Sequence, residues 1–439
     1  MAPTGSIEPN SDFSTPNTGR AAAIVLAAGR SRRMRSSLPK VLHPVLGLPL
    51  VEYVVRAALQ IGAERVIVVA SPDHRDQVAD ALSHVPEVEV VVQKEPLGTA
   101  HAILAAKDSL ADFQGTGLVL LGDAPAISER SLRALLKAHE ERNGAISVLS
   151  GVVANPAGYG RVVRGLHGDL EAIIEEKDAP PEVREVREIN SGTFAIELPK
   201  IWDVLEGVQP SAATGERYAT DAIGVARARG MRTIACNAAD EADILGVNDR
   251  RQLASVTAVL RERILAKHMR DGVTDVDPAS TFVDVRATFG ADVRLEPFTV
   301  IEGPCRIGAG SSIGPFAHLR EASLGANVRV GNFVEVVRST VGDSTRALHL
   351  SYIGDAQVGE DVNVGAGTVF ANYDGERHQP STVAAHVSLG ANTVVIGPSN
   401  IGVSARTGAG AVVKGEVSAQ AVVVGVPARP LTSTEGGQS

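Results

Sequence analysis

Residues 283–319 read VDVRATFGADVRLEPFTVIEGPCRIGAGSSIGPFAHL, and their spacing decides the fold of the C-terminal half. Apolar residues, with one threonine among them, recur there at every sixth position, and the same spacing returns further on. These positions are Val283, Phe289, Leu295, Ile301, Ile307, Ile313 and Leu319, then Leu389, Val395, Ile401, Thr407 and Val413. A period of six is typical of a parallel β-helix, in which each repeat forms one face of a triangular coil. A chance run in a glycine-rich β-domain is the weaker alternative.

The six-residue spacing is interrupted between these two runs. It slips by one residue between Ile353 and Val358, and it is lost over residues 370–386, which read FANYDGERHQPSTVAAH. This insert is polar and too long for a turn, so it predicts a loop that extends from the β-helix. Loops carried on a rigid solenoid are common positions for functional sites, and we expect one here.

The N-terminal half has a different pattern, in which short apolar runs alternate with stretches of helical spacing. The apolar runs are AAAIVLA (21–27), RVIVVA (65–70), VEVVVQ (88–93) and GLVLLGD (117–123). Buried strands alternating with helices predict a mostly parallel, Rossmann-like α/β sheet. Ligands of such sheets bind beyond the carboxyl ends of the strands, so the turns after these runs should converge on one crevice.

The chain therefore divides into segments of different character. Residues 250–272 have helical spacing and no proline, which predicts a connecting helix. The predicted segments are a disordered tail (1–20), an α/β domain (21–249), a linker helix (250–275), a β-helix (276–430) and a second disordered tail (431–439).

Composition limits the classes of function. A chain of 439 residues is too long for one ordinary domain, and 44% hydrophobic with 21% charged residues predicts a soluble globular protein. The net charge of -9 argues against nucleic acid as the main partner. No stretch approaches the roughly 18 apolar residues of a membrane span, and the first twenty residues lack the apolar region of a signal peptide. Cys236 and Cys305 are predicted to be free thiols in a reducing compartment, which favours the cytoplasm.

The segment LAAGRSRRMRSSLPKVLH (26–43) directly follows the first apolar run. A turn of small residues brings backbone N–H groups close to a phosphate, and Arg33 and Lys40 add positive charge. Asp123 is a lone carboxylate that follows another buried run, which indicates a metal ligand in the same crevice. Capping of a helix or turn is the alternative for Asp123.

Further motifs extend this pattern along the chain. They are QKEPLGTAHA (93–102), LLGDAPAI (120–127), NPAGYGRVVR (155–164), IIEEKDA (173–179), EINSGTFA (188–195), GERYATDAI (215–223) and GVNDRRQL (246–253). In this order, and followed by hexapeptide repeats, they resemble the bifunctional N-acetylglucosamine-1-phosphate uridylyltransferase/glucosamine-1-phosphate N-acetyltransferase (GlmU) family, from about residue 22 to about residue 430. The resemblance implies a nucleotidyltransferase domain, a left-handed parallel β-helix, and synthesis of UDP-N-acetylglucosamine for cell-wall and other aminosugar polymers.

The resemblance also implies the residues of a uridylyl-transfer site. They are Arg33 and Lys40 as catalytic cations on the triphosphate; Ala28, Gly29, Gln93, Gly98 and Thr99 for the nucleotide; Gly160, Glu175 and Asn190 for the sugar; and Asp123 and Asn248 for Mg²⁺. The sugar phosphate would attack the α-phosphorus of UTP in line and release pyrophosphate. This chain has Ser31 and Arg32 where the family has Gly and Thr. A serine at a left-handed glycine position would cost roughly 1 kcal/mol.

A second set of residues resembles the family's acetyl-transfer site. They are His349 as general base; Arg320, Arg338, Tyr352 and Asn363 for the aminosugar phosphate; and Ala366, Asn372, Tyr373, Ala391, Ala409 and Arg429 for acetyl-CoA. His349 would remove a proton from the sugar amine as that amine attacks the thioester. The chain departs from the family at Val337 and His378, which replace lysines, at Ala391, which replaces a serine, and at Gly425, which replaces an arginine. Arg338 follows Val337 directly and could substitute for the first lysine; for Arg429, in GVPARP (425–430), a proline-rich end of the last coil is the alternative.

Three hypotheses follow from these observations. The first is a bifunctional enzyme that uses UTP, N-acetylglucosamine 1-phosphate, glucosamine 1-phosphate and acetyl-CoA. The second is a monofunctional nucleotidyltransferase whose β-helix only builds a trimer, and the third is a non-enzymatic scaffold, which the retained cations and Asp123 disfavour. We expect a homotrimer with acetyl sites at subunit boundaries, because the insert at 370–386 is long enough to reach a neighbour.

Overall fold

The structure is a computed structural model that describes residues 19–29, 32–165, 168–211 and 214–430. Nearly all of the first predicted tail and all of the second lie outside the described residues. Contacts divide the chain into two units, one of Met1–Pro44 with Pro49–Val256 and one of Val45–Leu48 with Thr257–Ser439. No helix in the described part of the chain is both long and apolar enough to cross a membrane.

Strands and helices alternate before residue 250. The strands are β1 (Ala21–Ala27), β2 (Pro44–Val45), β3 (Leu48–Pro49), β4 (Arg65–Ala70), β5 (Val88–Val92), β6 (Gly115–Leu121), β7 (Ile146–Val152), β8 (Arg161–Arg164), β9 (Leu170–Ile174), β10 (Glu188–Leu198) and β11 (Thr233–Asn237). The helices are α1 (Leu50–Gln60), α2 (Arg75–Leu82), α3 (Thr99–Leu104), α4 (Glu129–Glu141), α5 (Pro181–Arg184), α6 (Ile201–Glu206) and α7 (Ala222–Ala228). Short 3₁₀ turns lie at Arg32–Met34, Lys40–Leu42, Pro72–His74, Asp108–Leu110, Ala219–Asp221 and Glu241–Ile244.

The sheet of the first unit has the order β11-β7-β10-β6-β1-β4-β5, with β8 paired to β10 and β9 paired to β8. Strand β1 pairs in parallel with β4 and β6, and β4 pairs in parallel with β5, which confirms the predicted α/β arrangement. Strand β10 runs antiparallel between β6 and β7. Along β1, Ala22 and Ile24 belong to one apolar core and Ala23 and Val25 to another, as expected for a strand covered on both faces.

Helix α8 (Arg250–Arg270) continues the chain into the second unit. The strands after it are β12 (Thr274–Asp275), β13 (Phe282–Val283), β14 (Thr288–Phe289), β15 (Arg294–Leu295), β16 (Val300–Glu302), β17 (Arg306–Ile307), β18 (Ser312–Ile313), β19 (His318–Arg320), β20 (Ser323–Leu324), β21 (Arg329–Asn332), β22 (Glu335–Val337), β23 (Thr340–Val341), β24 (Arg346–His349), β25 (Tyr352–Gly354), β26 (Ala356–Val358), β27 (Asn363–Val364), β28 (Val369–Ala371), β29 (Ser381–Val383), β30 (Ser388–Leu389), β31 (Val394–Ile401), β32 (Arg406–Thr407), β33 (Val412–Val417), β34 (Val422–Val424) and β35 (Arg429–Pro430).

These short strands form a left-handed parallel β-helix, as the sequence predicts. Every third strand pairs in parallel with its equivalent in the next coil, so that β12, β15, β18 and β21 follow one another along one face. The predicted hexad residues point inward. Leu295 pairs with Ile313 and Ile313 with Val330, and all three are buried. Stacking of such apolar side chains from coil to coil provides the core of the second unit.

The coils deviate from the six-residue period at one corner. Inward-facing residues are five apart from Leu319 to Leu324, from Val336 to Val341 and from Ile353 to Val358; the sequence analysis identified only the last slip. The residues at this shortened corner, Glu321, Arg338 and Asp355, have φ of 50°, 44° and 48°. A left-handed residue closes the corner with one residue fewer. The predicted loop at 370–386 is shorter in the structure, because residues 370–371 belong to β28 and residues 381–383 to β29. Between these strands the chain forms a hairpin, in which Tyr373 pairs with His378.

Candidate active sites

A cleft of about 420 Å³ opens in the first unit where β1, β5 and β6 end. The crevice predicted from parallel strand ends therefore exists in the structure. Its lining includes predicted nucleotide-binding residues from all three strand ends and the turns that follow them: Ala28, Gly29, Lys40, Gln93, Gly98, Thr99 and Asp123. Glu216 also lines the cleft, although the sequence analysis gave it no role.

Cations and ligand oxygens meet at one side of this cleft. The ammonium group of Lys40 forms an ion pair with the Asp123 carboxylate, and it also lies 3.2 Å from Oδ1 of Asn248. Nη2 of Arg33 donates to the same Asn248 oxygen at 2.9 Å. The four residues come from three distant parts of the sequence, so the fold brings together the predicted triphosphate cations and the predicted metal ligands. The predicted strain at Ser31 lies outside the described residues.

The oxygens of Asp123 and Asn248 are suited to a divalent cation. Both contact one ammonium nitrogen, so they converge on a single point that a positive charge can occupy. One carboxylate and one amide are hard oxygen donors, and Mg²⁺ commonly takes few protein ligands beside substrate phosphates and water. Backbone bonds fix both residues: Val247 N–H donates to Asp123 O at 2.8 Å, and Asn248 N–H donates to Oε1 of Gln252 at 2.7 Å. Gln252, within the motif GVNDRRQL, was not singled out from the sequence.

A tight turn forms another wall of the cleft. Gln93 is 6% exposed, and its amide donates to the carbonyl of Gly98 at 3.0 Å. Gly98 has φ of +102°, and a Cβ there would lie 2.4 Å from the carbonyl oxygen of Arg217. Ala100 N–H donates to that same carbonyl at 3.0 Å, so only glycine permits this close approach. The Gln93 side-chain amide and the backbone groups of the turn are able to form hydrogen bonds with the edge of a planar base.

The three residues predicted for the sugar lie next to one another. Asn190 N–H donates to the carbonyl of Gly160 at 2.9 Å, and a Cβ on Gly160 would lie 3.3 Å from Oε1 of Glu175. Thr220 Oγ1 donates to Oε1 of Glu175 at 3.3 Å, but burial still raises the pKa of the Glu175 carboxyl. Burial also raises the pKa of the Tyr159 hydroxyl, and the negative charge of Asp123 adds to this rise.

In the second unit, His349 lies at the exposed end of β24. Its backbone carbonyl accepts a bond of 3.2 Å from Gly367 N–H, which places the predicted residue Ala366 in the next coil beside it. Asn363 pairs with Arg346 of the same strand as His349. The ring of His349 is therefore open to a ligand on this face.

The other predicted acetyl-site residues occupy neighbouring coils. Tyr352 contacts the hairpin, because Asn372 Nδ2 lies 3.4 Å from its hydroxyl. Arg320 is exposed and pairs with Val337 of the following coil. Tyr373 is 57% exposed on the hairpin. Arg320 in β19 and Tyr352 in β25 belong to one sheet of the β-helix, whereas His349 in β24 belongs to another.

The predicted acetyl-CoA residues follow one corner of the coil. Asn392 N–H donates to Ala366 O at 2.7 Å and Gly410 N–H donates to Ala391 O at 2.8 Å, so Ala366, Ala391 and Ala409 lie in successive coils. Arg429 is exposed in β35, which pairs antiparallel with β34 and ends this face. All three alanines are exposed.

Asp355 is a residue of this region that the sequence analysis missed. Its carboxylate accepts hydrogen bonds from both Nε and Nη2 of Arg338, at 2.7 and 2.8 Å. Nδ2 of Asn372 donates to it at 2.5 Å, and Nδ1 of His378 lies 2.9 Å from it. The hydrogen bonds from Arg338 are the main cause that lowers the pKa of this carboxyl. An aspartate after glycine at a turn is too common a pattern to signal such a contact.

Comparisons with known proteins agree with both units. Residues 23–188 match the model of a MobA-like NTP transferase domain. The bifunctional protein GlmU of Geobacter sulfurreducens is 36% identical over 455 residues, with 92% of this chain and 95% of the relative covered. GlmU of Corynebacterium glutamicum is 38% identical, covering 94% and 92%, and that of Pelotomaculum thermopropionicum is 41% identical, covering 86% and 89%.

Proposed function

Because this chain belongs to the bifunctional GlmU family, we propose that it makes UDP-N-acetylglucosamine in two steps at two sites. The β-helix site transfers an acetyl group from acetyl-CoA to glucosamine 1-phosphate, and the α/β site then transfers a uridylyl group from UTP to N-acetylglucosamine 1-phosphate. The observation that carries the proposal is the similarity over nearly the full length of relatives that share both units. It disfavours the monofunctional and scaffold hypotheses.

In the α/β unit, a phosphate oxygen of the sugar phosphate attacks the α-phosphorus of UTP. The bond from that phosphorus to the β-phosphate oxygen breaks, and pyrophosphate leaves. Lys40 and Arg33 stabilise the negative charge that develops, while the Gln93–Gly98 turn orients the base and Glu175 accepts a hydrogen bond from the sugar. Asp123 and Asn248 would hold Mg²⁺, which would supply further positive charge against the triphosphate.

In the β-helix unit, the amine of glucosamine 1-phosphate attacks the thioester carbon of acetyl-CoA. The imidazole of His349 takes a proton from the attacking nitrogen, the carbon–sulfur bond breaks, and coenzyme A leaves as a thiol once protonated. Arg320, Tyr352 and Asn363 bind the aminosugar phosphate. Ala366, Ala391 and Ala409 provide the corner along which acetyl-CoA lies, with Arg429 near its phosphates.

We also propose that the chain works as a cytoplasmic homotrimer. Four apolar side chains, Phe298, Phe316, Phe333 and Leu350, occupy successive coils at one corner and are between 45% and 64% exposed. The rings of Phe298 and Phe316 stack at 4.7 Å, and those of Phe316 and Phe333 at 5.1 Å. Such a continuous apolar row is typical of a surface that another chain covers. Leu350 directly follows His349, so contact there would put the acetyl site at a subunit boundary.

A pair of assays tests the two activities separately. Pyrophosphate release is measured with UTP and N-acetylglucosamine 1-phosphate, and thiol release is measured with acetyl-CoA and glucosamine 1-phosphate. We expect both reactions. Pyrophosphate release without any thiol release would leave only the nucleotidyltransferase, and failure of both would overturn the proposal.

A further inference from the structure

One departure from the family pattern, His378, and the neighbour of another, Arg338, meet at one carboxylate in the β-helix. Arg338 follows Val337, which replaces a family lysine, and His378 replaces another. Their side chains come together on Asp355: Arg338 forms two hydrogen bonds with it, and His378 Nδ1 lies 2.9 Å from its Oδ2. This arrangement joins the coil corner to the hairpin of residues 372–379.

The hairpin is held to the coil by side-chain contacts of Asn372 and His378 with Asp355, and of Asn372 with the Tyr352 hydroxyl at 3.4 Å. Its tip is stabilised internally, since Asp374 accepts bonds from the backbone of Glu376 and Arg377 at 2.9 and 2.7 Å. At its base, Asn372 is 8% exposed and donates to Asp355 at 2.5 Å. Asp355 therefore contacts both the first and the second arm of the hairpin.

We propose that Asp355 and Arg338 form a clamp that fixes the hairpin, so that Asn372 and Tyr373 are positioned to bind acetyl-CoA. Asp355 is a positioning residue, because it acts through Asn372 and His378 and not on the substrate. The inference rests on the proposed acetyl transfer, although the clamp itself does not require that activity. Nε and Nη2 of Arg338 both donate to the Asp355 carboxylate. The clamp therefore gives Arg338 a role other than binding a phosphate in place of the lost lysine.

The bidentate geometry explains why arginine suits this corner. A planar guanidinium matches the two oxygens of Asp355, whereas a lysine ammonium makes one point contact. Arg338→Lys should therefore keep the charge and restore only part of the function that Arg338→Gln loses. Asp355→Asn preserves the shape of the side chain and removes its charge.

Two measurements test the clamp. The first is trypsin cleavage after Arg377, an exposed residue of the hairpin, followed by mass spectrometry of the fragment that begins at His378. We expect Asp355→Asn and Arg338→Gln to be cut at least tenfold faster than the parent, with Arg338→Lys between. The control is Asp361→Asn, which removes an exposed Asp–His pair (to His386, 3.3 Å) at another corner and should change nothing.

The second measurement separates the two substrates of acetyl transfer. In Asp355→Asn the KM for acetyl-CoA should rise about tenfold or more, while the KM for glucosamine 1-phosphate and pyrophosphate release stay near parental values. Unchanged cleavage after Arg377 would overturn the clamp whether or not acetyl transfer occurs. A rise in KM for glucosamine 1-phosphate alone in Arg338→Gln would show that Arg338 binds phosphate and would also overturn it. Faster cleavage of the two variants, combined with a parent protein that shows no thiol release, would instead refute only the proposed acetyl transfer.

Discussion

The ammonium group of Lys40 pairs with the carboxylate of Asp123 inside the α/β cleft. The two side chains are 14% and 18% exposed, and the same ammonium lies 3.2 Å from Asn248 Oδ1. Lys40 thus contacts the oxygens proposed for Mg²⁺. Binding of a divalent cation must displace it, which would release the ammonium toward the triphosphate.

Substitution of Lys40 separates its competition with the metal ion from its proposed action on the triphosphate. Binding of Mn²⁺ without nucleotide can be followed by electron paramagnetic resonance. Lys40→Met should bind Mn²⁺ several-fold more tightly than the parent, because no ammonium group competes for the oxygens of Asp123 and Asn248. Pyrophosphate release should fall by about 10²–10³-fold, the usual effect of losing one transition-state donor. Lys107→Met, which removes an exposed pair with Glu206, is the control. Unchanged or weaker Mn²⁺ binding in Lys40→Met would contradict the competition.

Gly98→Ala tests the turn that lines the cleft. The added Cβ would meet the Arg217 carbonyl at 2.4 Å with φ of +102°, so the turn must shift. We expect a loss of about 1–3 kcal/mol in unfolding free energy and a higher KM for UTP. Trp202, the single tryptophan and buried in this unit, reports the unfolding. Gly224→Ala, in α7 with open space around its Cα, should instead be neutral or slightly stabilising; equal effects of the two changes would refute the steric explanation.

The pH dependence of stability should depend on His139. Burial lowers the pKa of this histidine to about 4, and its Nδ1 lies 2.8 Å from Ser147 Oγ. Between about pH 6.5 and pH 4 the unfolded chain therefore binds a proton that the folded chain does not, and acidification lowers stability by at most about 1.4 kcal/mol per pH unit. Urea titrations followed by Trp202 fluorescence should show a smaller loss of unfolding free energy over this pH window in His139→Gln than in the parent. Parallel curves for the two proteins would contradict the assignment.

The row of exposed aromatic residues should control assembly. In Phe316→Ser, sedimentation velocity should show a smaller species than the parent, because the middle of the apolar row becomes polar. Thiol release should fall with it, while pyrophosphate release continues. Val152→Ser, which changes a residue 61% exposed in the first unit, should sediment as the parent does. A parent protein that is already monomeric would refute the trimer.

The sequence predicted the fold where one physical constraint repeats. Inward residues such as Leu295 and Ile313 recur every six positions because each β-helix face must bury one side chain. The parallel sheet was predicted for the same reason, since β1 is buried on both faces. Lys40, Asp123 and Asn248 are far apart in sequence, and only their motifs and the rule about strand ends indicated that they meet.

What the sequence left out depends on backbone conformation and on distant partners. At the two missed slips, Leu319–Leu324 and Val336–Val341, Glu321 and Arg338 adopt positive φ although neither is a glycine. Asp355 was missed because its partners Arg338 and Asn372 lie 17 residues away in either direction. A coil of three six-residue faces has 18 residues, and each slip shortens it to 17. Side-chain partners in successive coils, such as Arg338 and Asp355, are therefore 17 residues apart.

The two proposed sites can be tested together by mixing two variants. Asp123→Ala should lose pyrophosphate release and keep thiol release, and His349→Ala should lose thiol release by about 10²–10⁴-fold and keep pyrophosphate release. Supplied with glucosamine 1-phosphate, acetyl-CoA and UTP, neither variant alone should make UDP-N-acetylglucosamine. Their mixture should make it, because the acetylated sugar phosphate passes from one protein to the other. A mixture that yields no UDP-N-acetylglucosamine, although the parent does, would contradict two independent sites in one chain.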